Sequence, residues 1–205
     1  MNNEQFLKNN LRMIAIIKYN AGNITSVKNA LDRLGYANVL TDDAAVIKEA
    51  DKVIFPGVGE ASSAMKYLRA KGLDEVIRSL QQPVLGICLG QQLMCQHSEE
   101  NDTDCLGIFA ARVRLFPPEK KVPHIGWNNF SSLKSPVFKG IEQENDVYFV
   151  HSYYAELTED TTAICDYILP FSAAMQRGNF YATQFHPEKS GGVGETILRN
   201  FLSIQ

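Results

Sequence analysis

Residues 83–90 read Pro-Val-Leu-Gly-Ile-Cys-Leu-Gly, a short apolar run ending on a cysteine with a glycine two residues to either side. A strand passes directly into a helix only through a tight turn whose neighbours are small. Gly86-Ile87-Cys88-Leu89-Gly90 is therefore the thiol counterpart of the G-x-S-x-G nucleophile elbow. Such a turn commits this part of the chain to a strand followed at once by a helix, the unit from which parallel sheets are built.

The flanking sequence repeats that unit. Met13–Ile17 is an apolar run of strand length. After it, Val27, Ala30, Leu31 and Leu34 recur at i, i+3, i+4 and i+7, the stripe of an amphipathic helix that Asn23 or Thr25 is suited to cap and Gly35 to stop. Asn38–Leu40 reads as a strand, Asp43–Ala50 as a helix and Lys52–Phe55 as a strand. Ala61–Leu80 is helical with a break at Gly72, Pro83–Ile87 is a strand, and Gln91–His97 is a helix. In the second half, Phe109–Phe116, Gly126–Ser131, Val147–Leu157, Ala163–Leu169 and Ala173–Gln184 are rich in β-branched and aromatic residues. They read as further strands, some antiparallel, and Val193–Leu202 as a closing helix. The expected fold class is α/β: three layers around a mostly parallel central sheet, with additional antiparallel strands in the C-terminal half.

The 205 residues suit one domain with a sizeable core, at about 100–200 residues per domain. Residues 1–12 form a polar extension without the apolar stretch of a signal peptide, so the domain is expected over 13–205. With 45% apolar and 21% charged residues the composition is that of a globular chain. A net charge of −3 gives no footprint for nucleic acid. No run approaches the roughly 18 apolar residues of a membrane helix. The four cysteines, Cys88, Cys95, Cys105 and Cys165, form no C-x-x-C pair and suggest a reducing, cytoplasmic setting instead of a disulfide framework.

A thiol nucleophile requires a base. At Cys88 the following helix start favours a thiolate, and the Leu89 N–H is placed to serve an oxyanion; the competing reading is a small buried cysteine between turn glycines. Of four histidines, His186 lies in Gln184-Phe185-His186-Pro187-Glu188 at a strand end. In extended geometry His186 and Glu188 share a face, so the carboxylate can hold one ring nitrogen while the other meets Cys88. The competing reading is a surface His-Pro-Glu turn. His97 reads as a solvated residue at a helix end, and His124 and His151 as hydrogen-bonded structural residues in apolar strands. No set has metal-ligand spacing, so neither a metal nor another cofactor is expected.

GICLG, the later HPE and Pro56-Gly57-Val58-Gly59 together resemble the class I, triad-type glutamine amidotransferases. Tyr19 to Val27 (YNAGNITSV), Pro123 to Asn128 (PHIGWN) and Tyr148 to Tyr153 (YFVHSY) resemble more narrowly the glutaminase subunits of imidazole glycerol phosphate synthase, from Met13 nearly to the end of the chain. Lys18 departs from the acidic residue many of those relatives carry before the tyrosine.

The resemblance implies Cys88 as nucleophile, His186 as general base and acid, and Glu188 as orienter. The oxyanion donors would be the N–H groups of Leu89 and of Val58, the latter between Gly57 and Gly59, where a peptide flip is sterically cheap and the donor is not always aligned at rest. Gln92, Ser152 and Tyr153 would contact L-glutamine. Trp127, Tyr148 and Lys189 would lie near a (β/α)8-barrel cyclase subunit that receives the ammonia, although residue physics alone reads Trp127 as a core aromatic. Two alternatives compete: a glutaminase subunit for another synthase, such as that of pyridoxal phosphate synthesis, and a non-catalytic regulatory scaffold.

Overall fold

The computed structural model describes residues 13–205; the expected extension 1–12 lies outside the described residues. Four short strands open the fold: β1 (Ile14–Ile17), β2 (Asn38–Thr41), β3 (Lys52–Phe55) and β4 (Val84–Ile87). Ten more follow: β5 (His97–Ser98), β6 (Thr103–Asp104), β7 (Arg112–Leu115), β8 (His124–Asn128), β9 (Ser132–Leu133), β10 (Val147–His151), β11 (Tyr153–Ala155), β12 (Thr161–Asp166), β13 (Pro170–Arg177) and β14 (Phe180–Thr183). The helices are α1 (Ile24–Leu34), α2 (Ala44–Glu49), α3 (Ala61–Ala70), α4 (Leu73–Ser79), α5 (Leu89–Met94) and α6 (Gly191–Ser203).

The main sheet runs β2-β1-β3-β4-β14-β13-β12-β9. Its first five strands are parallel and the last three antiparallel. The two-residue period of a strand sorts its side chains onto two faces. Ala15, Ile17, Val53, Phe55 and Val84 pack with residues of α2, α3, α4 and α5. Ile14, Ile16, Ile54, Leu85 and Ile87 pack with α1 and α6. These are the three expected layers, and each fully buried large aliphatic side chain contributes about 1.5–3 kcal/mol. Gly35 ends α1 in the left-handed region at φ 80°, Gly72 separates α3 from α4 at φ 66°, and Asp43 caps α2 through the N–H groups of Ala45 and Val46.

Several boundaries differ from the sequence reading. The run Val147–Leu157 divides at Ser152: β10 pairs with β8 as a two-stranded ribbon, whereas β11 joins β7, β5 and β6. Ala173–Gln184 is a hairpin, because Gly178 at φ 56° and Asn179 make a two-residue turn between β13 and β14. Ala163–Leu169 shifts back to Thr161–Asp166, since the chain turns through 167–169 into β13. Phe109–Phe116 shortens to Arg112–Leu115, and Gly126–Ser131 becomes His124–Asn128. The helix expected over Gln91–His97 spans Leu89–Met94, and His97 stands in β5 beside Asp102 and Asp104 instead of on a helix end. Among the described residues, no helix is long and apolar enough to cross a membrane.

Candidate active site

Four parallel strands end at one place, the usual location of sites in open α/β sheets. β1 leads to Tyr19 and Asn23, β3 to Pro56–Gly59, β4 to Cys88, and β14 to Gln184, His186 and Glu188. The elbow stands on β4, between β3 and β14, and the Cys88 N–H donates to the Thr183 carbonyl at 2.7 Å. Cys88 holds φ 54° and ψ −105°, a conformation costly for a residue with a side chain and maintained by its surroundings. The flanking glycines are required by close approach. A Cβ at Gly90 would lie 1.9 Å from the Phe55 carbonyl oxygen, and one at Gly86 2.9 Å from the Met94 sulfur.

His186 and Glu188 meet at 2.8 Å through Nδ1 and Oε1, both side chains fully buried. The contact does not use the extended geometry expected from the sequence, for Pro187–Lys189 is a 3-10 turn that brings the carboxylate back onto the ring. His186 Nε2 is buried without a hydrogen-bond partner of ordinary geometry. Burial opposes a charged imidazole, but the adjoining Cys88 sulfur and then Glu188 outweigh it and push the ring up to about 10. Asn23 completes the group. Its Nδ2 donates to Glu188 Oε1 and lies 3.3 Å from His186 Nδ1. It stands at the N-cap of α1 but makes no side-chain cap, because that side chain is committed to the carboxylate.

The backbone expected to hold an oxyanion is closed on itself. The Leu89 N–H donates to the Gly57 carbonyl at 3.1 Å. The peptides on either side of Gly57–Val58 are pinned: Tyr19 Oη donates to Pro56 O at 2.7 Å, and Gly22 N–H to Val58 O at 2.9 Å. Gly59, at φ 145°, occupies backbone space open to glycine.

Beside the sulfur lies a cavity of about 260 Å³ lined by Val58, Gly59, Cys88, Leu89, Gln92, Glu100 and Ser152, with Tyr153 and His151 among its other walls. It falls below the roughly 300–1,000 Å³ of pockets for drug-sized ligands and suits something smaller. A larger cavity of about 330 Å³ between α1 and α6 does not reach Cys88. Gln92 gives both amide hydrogens to the scaffold, to Tyr153 O at 2.9 Å and Gln184 Oε1 at 3.0 Å, which leaves its own carbonyl as the acceptor for a ligand. Glu100, absent from the sequence reading, adds a second acceptor. One of its oxygens takes the Ala61 N–H at 2.7 Å, and burial raises its carboxyl above the ordinary range. Nothing near it in sequence marks it; only the fold brings it to the cavity.

His124 and His151 form a buried pair, Nδ1 to Nε2 at 3.1 Å. Burial keeps them neutral, with values lowered to about 4 and about 3. Trp127, read as a core aromatic, is instead 58% exposed, and meets Tyr148 edge to face at 5.8 Å across the β8–β10 ribbon. Lys189 is exposed, Tyr148 is half-buried, and the Tyr148 carbonyl accepts the His186 N–H at 2.9 Å, so the aromatic pair is bonded to the backbone of the buried histidine. Cys95, Cys105 and Cys165 are buried free thiols away from the cavity. No group of three or more potential metal ligands occurs among the described residues.

The family model for class I glutamine amidotransferases matches residues 15–204, and the chain belongs to that family. Similarity narrows it further. Over 194 residues the chain is 60% identical to imidazole glycerol phosphate synthase subunit HisH of Bacteroides fragilis (strain YCH46), covering 93% of this chain and 99% of that protein. The subunit of the same name from Pasteurella multocida (strain Pm70) is 48% identical, at 94% and 98% coverage. Within class I, the chain thus belongs with the HisH glutaminase subunits. Its fold also matches the crystal structure of a glutamine amidotransferase from Thermotoga maritima, with a TM-score of 0.67, 16% identity, and coverage of 94% of this chain and 97% of the other.

Proposed function

We propose that this chain releases ammonia from L-glutamine through Cys88, His186 and Glu188. The amidotransferase activity, serving imidazole glycerol phosphate synthase in histidine biosynthesis, follows from its family membership. The residue roles rest on one observation: a buried His–Glu pair set against a cysteine held at positive φ on a strand–helix elbow, at the wall of a small cavity.

In this reading Glu100 and the Gln92 carbonyl receive the substrate's α-ammonium, and Ser152 and Tyr153 line the same end. The Cys88 thiolate attacks the side-chain amide carbon. His186, protonated and steadied by Glu188, gives its proton to the departing nitrogen, and ammonia leaves. His186 then takes a proton from water, whose oxygen attacks the thioester; glutamate departs, and the Cys88 thiolate and protonated His186 are restored. The tetrahedral oxyanion needs the Leu89 N–H, which the Gly57 carbonyl occupies at rest. Rotation of the single Gly57–Val58 peptide between its pinned neighbours removes that carbonyl and brings in the Val58 N–H. One such donor is worth about 10²–10³ in rate. The geometry thus supports low activity alone and activation by a partner.

That partner, a cyclase subunit with a (β/α)8 barrel, is assigned to the exposed Trp127 and Lys189 and the half-buried Tyr148. Ammonia protonates readily in water and loses its nucleophilicity, which favours direct delivery. A cytoplasmic setting suits four free thiols, and one amidotransferase domain is assigned to residues 13–205. The test is Cys88→Ala in the complex. Glutamate formation should vanish, whereas cyclisation supplied with ammonium salt persists. Wild-type glutamate formation would overturn the mechanism. Loss of both activities despite an assembled complex would count against delivery to a separate active site.

A further inference from the structure

The mechanism above leaves one fully buried polar side chain beside the sulfur without a role. Gln184, the last residue before Phe185-His186, has no exposed surface, and its Nε2 lies 3.6 Å from Cys88 Sγ. Which amide atom faces the sulfur follows from hydrogen-bond polarity. The Tyr153 carbonyl can only accept, so the Gln92 group directed at it is the NH2. The same NH2 lies 3.0 Å from Gln184, which must present its oxygen there and its nitrogen to Cys88. The Tyr153 carbonyl also receives His151 Nδ1 at 2.8 Å. His151 Nε2 is thereby left to accept from His124 Nδ1 at 3.1 Å. Each link has its direction set by a backbone carbonyl that cannot donate.

We propose that Gln184 is a further catalytic residue: its side-chain N–H donates to the Cys88 sulfur and favours the thiolate over the thiol. The proposal rests on Cys88 being the nucleophile. As a thiol, Cys88 has the Val150 carbonyl as acceptor at 3.9 Å, a long contact; as a thiolate, it gains a donor fixed in place before the reaction begins. Gln92 and Tyr153 then act twice, as walls of the substrate cavity and as the frame that aims Gln184.

Two substitutions separate this role from simple packing. Gln184→Met keeps the volume and removes both hydrogen bonds. Gln184→Glu keeps the acceptor for Gln92 but turns an oxygen toward the sulfur. A thiolate donor ranks them Gln, then Met, then Glu; a residue that merely holds Gln92 ranks Glu at or above Met. The first readout is the rate of Cys88 alkylation by iodoacetamide at neutral pH in the full chain, followed by mass spectrometry of the Cys88 peptide. It should fall about ten-fold in Gln184→Met, the value of a hydrogen bond to a charged group, and further in Gln184→Glu. Glutaminase kcat in the complex should fall in the same order, with KM for glutamine altered by no more than about two-fold. Wild-type alkylation in both variants, or Glu at or above Met, overturns the proposal. A third measurement needs no variant of Gln184: its side-chain amide proton resonance in the 15N-labelled wild-type chain should move upfield when Cys88 is alkylated, and a resonance that stays in place overturns it. Cys88→Ala is run alongside. Retained glutaminase there refutes the nucleophile assignment, whereas its loss together with unaffected Gln184 variants refutes only the role of Gln184.

Discussion

Replacing Asn23 tests whether the orienting carboxylate must itself be held. Its Nδ2 donates to Glu188 Oε1, the same oxygen that binds His186 Nδ1. Glycine is the informative substitute, because Asn23 sits at φ 66°, where alanine would add backbone strain of its own. A hydrogen bond to a charged acceptor is worth about 1.5–3 kcal/mol, and the lower end applies because Glu188 keeps its histidine partner. If the full loss falls on the imidazolium-forming steps, about 1.5 kcal/mol is about ten-fold in kcat. Stability should fall by up to about the same 1.5 kcal/mol, because the bond to Glu188 is present in the resting fold, with only a few tenths more from glycine at an N-cap where the asparagine makes no cap bond. Steady-state glutamate release in the activated complex, with a thermal melt of the same sample, reads both. A kcat within two-fold of wild type beside an unchanged melt would refute the reasoning; a ten-fold drop with KM preserved would support it.

Other outcomes follow from burial and packing. His186, raised to about 10 from an ordinary 6.5, contributes stability that is complete below pH 6.5 and lost as pH rises through about 10. His124 and His151, lowered to about 4 and about 3, act oppositely: their contribution is complete above pH 6.5 and lost as pH falls through those values. A melting series across pH should therefore fall at both ends, and Cys88→Ala should flatten the alkaline limb; an unchanged limb in that variant contradicts the assignment. Gly90→Ala, whose Cβ would meet the Phe55 carbonyl oxygen at 1.9 Å, should cost about 3 kcal/mol or more by urea denaturation, whereas Gly192→Ala, with open space around its Cβ, should be near neutral. Trp127→Ala should leave the isolated chain within about 0.5 kcal/mol of wild type, yet weaken binding of the cyclase partner at least about ten-fold by calorimetric titration.

Strands β1 to β4 were legible in the sequence because each is a short run bounded by a helix stripe or a glycine, whereas β14, also parallel, is merged with β13 in that reading. The elbow was legible because its glycines answer local crowding. The antiparallel half was harder to divide. Gly178-Asn179 is a hairpin signal that the apolar residues around it concealed, and Ser152 separates two strands without any composition change. Asn23 was visible only as a cap, since its actual partner lies 165 residues away. Glu100 and Gln184 owe their positions to contacts between distant elements, which no local pattern encodes. For Trp127, residue physics alone favours the core, because burial is the default for a tryptophan in an apolar run, and a ribbon peripheral to the main sheet escapes that default; only the family resemblance pointed to the surface.

The carbonyl of Gly57 resting on the Leu89 amide has an implication for how restraint in this enzyme can be lost. On the proposed mechanism this is a safety catch made of main chain, so a substitution that leaves the backbone path unchanged cannot delete it. Variants that squander glutamine without a synthase to feed should instead map to the residues that fix the backbone path around it, Tyr19, Gly22, Gly57 and Gly59, several of which never touch the amino acid being consumed.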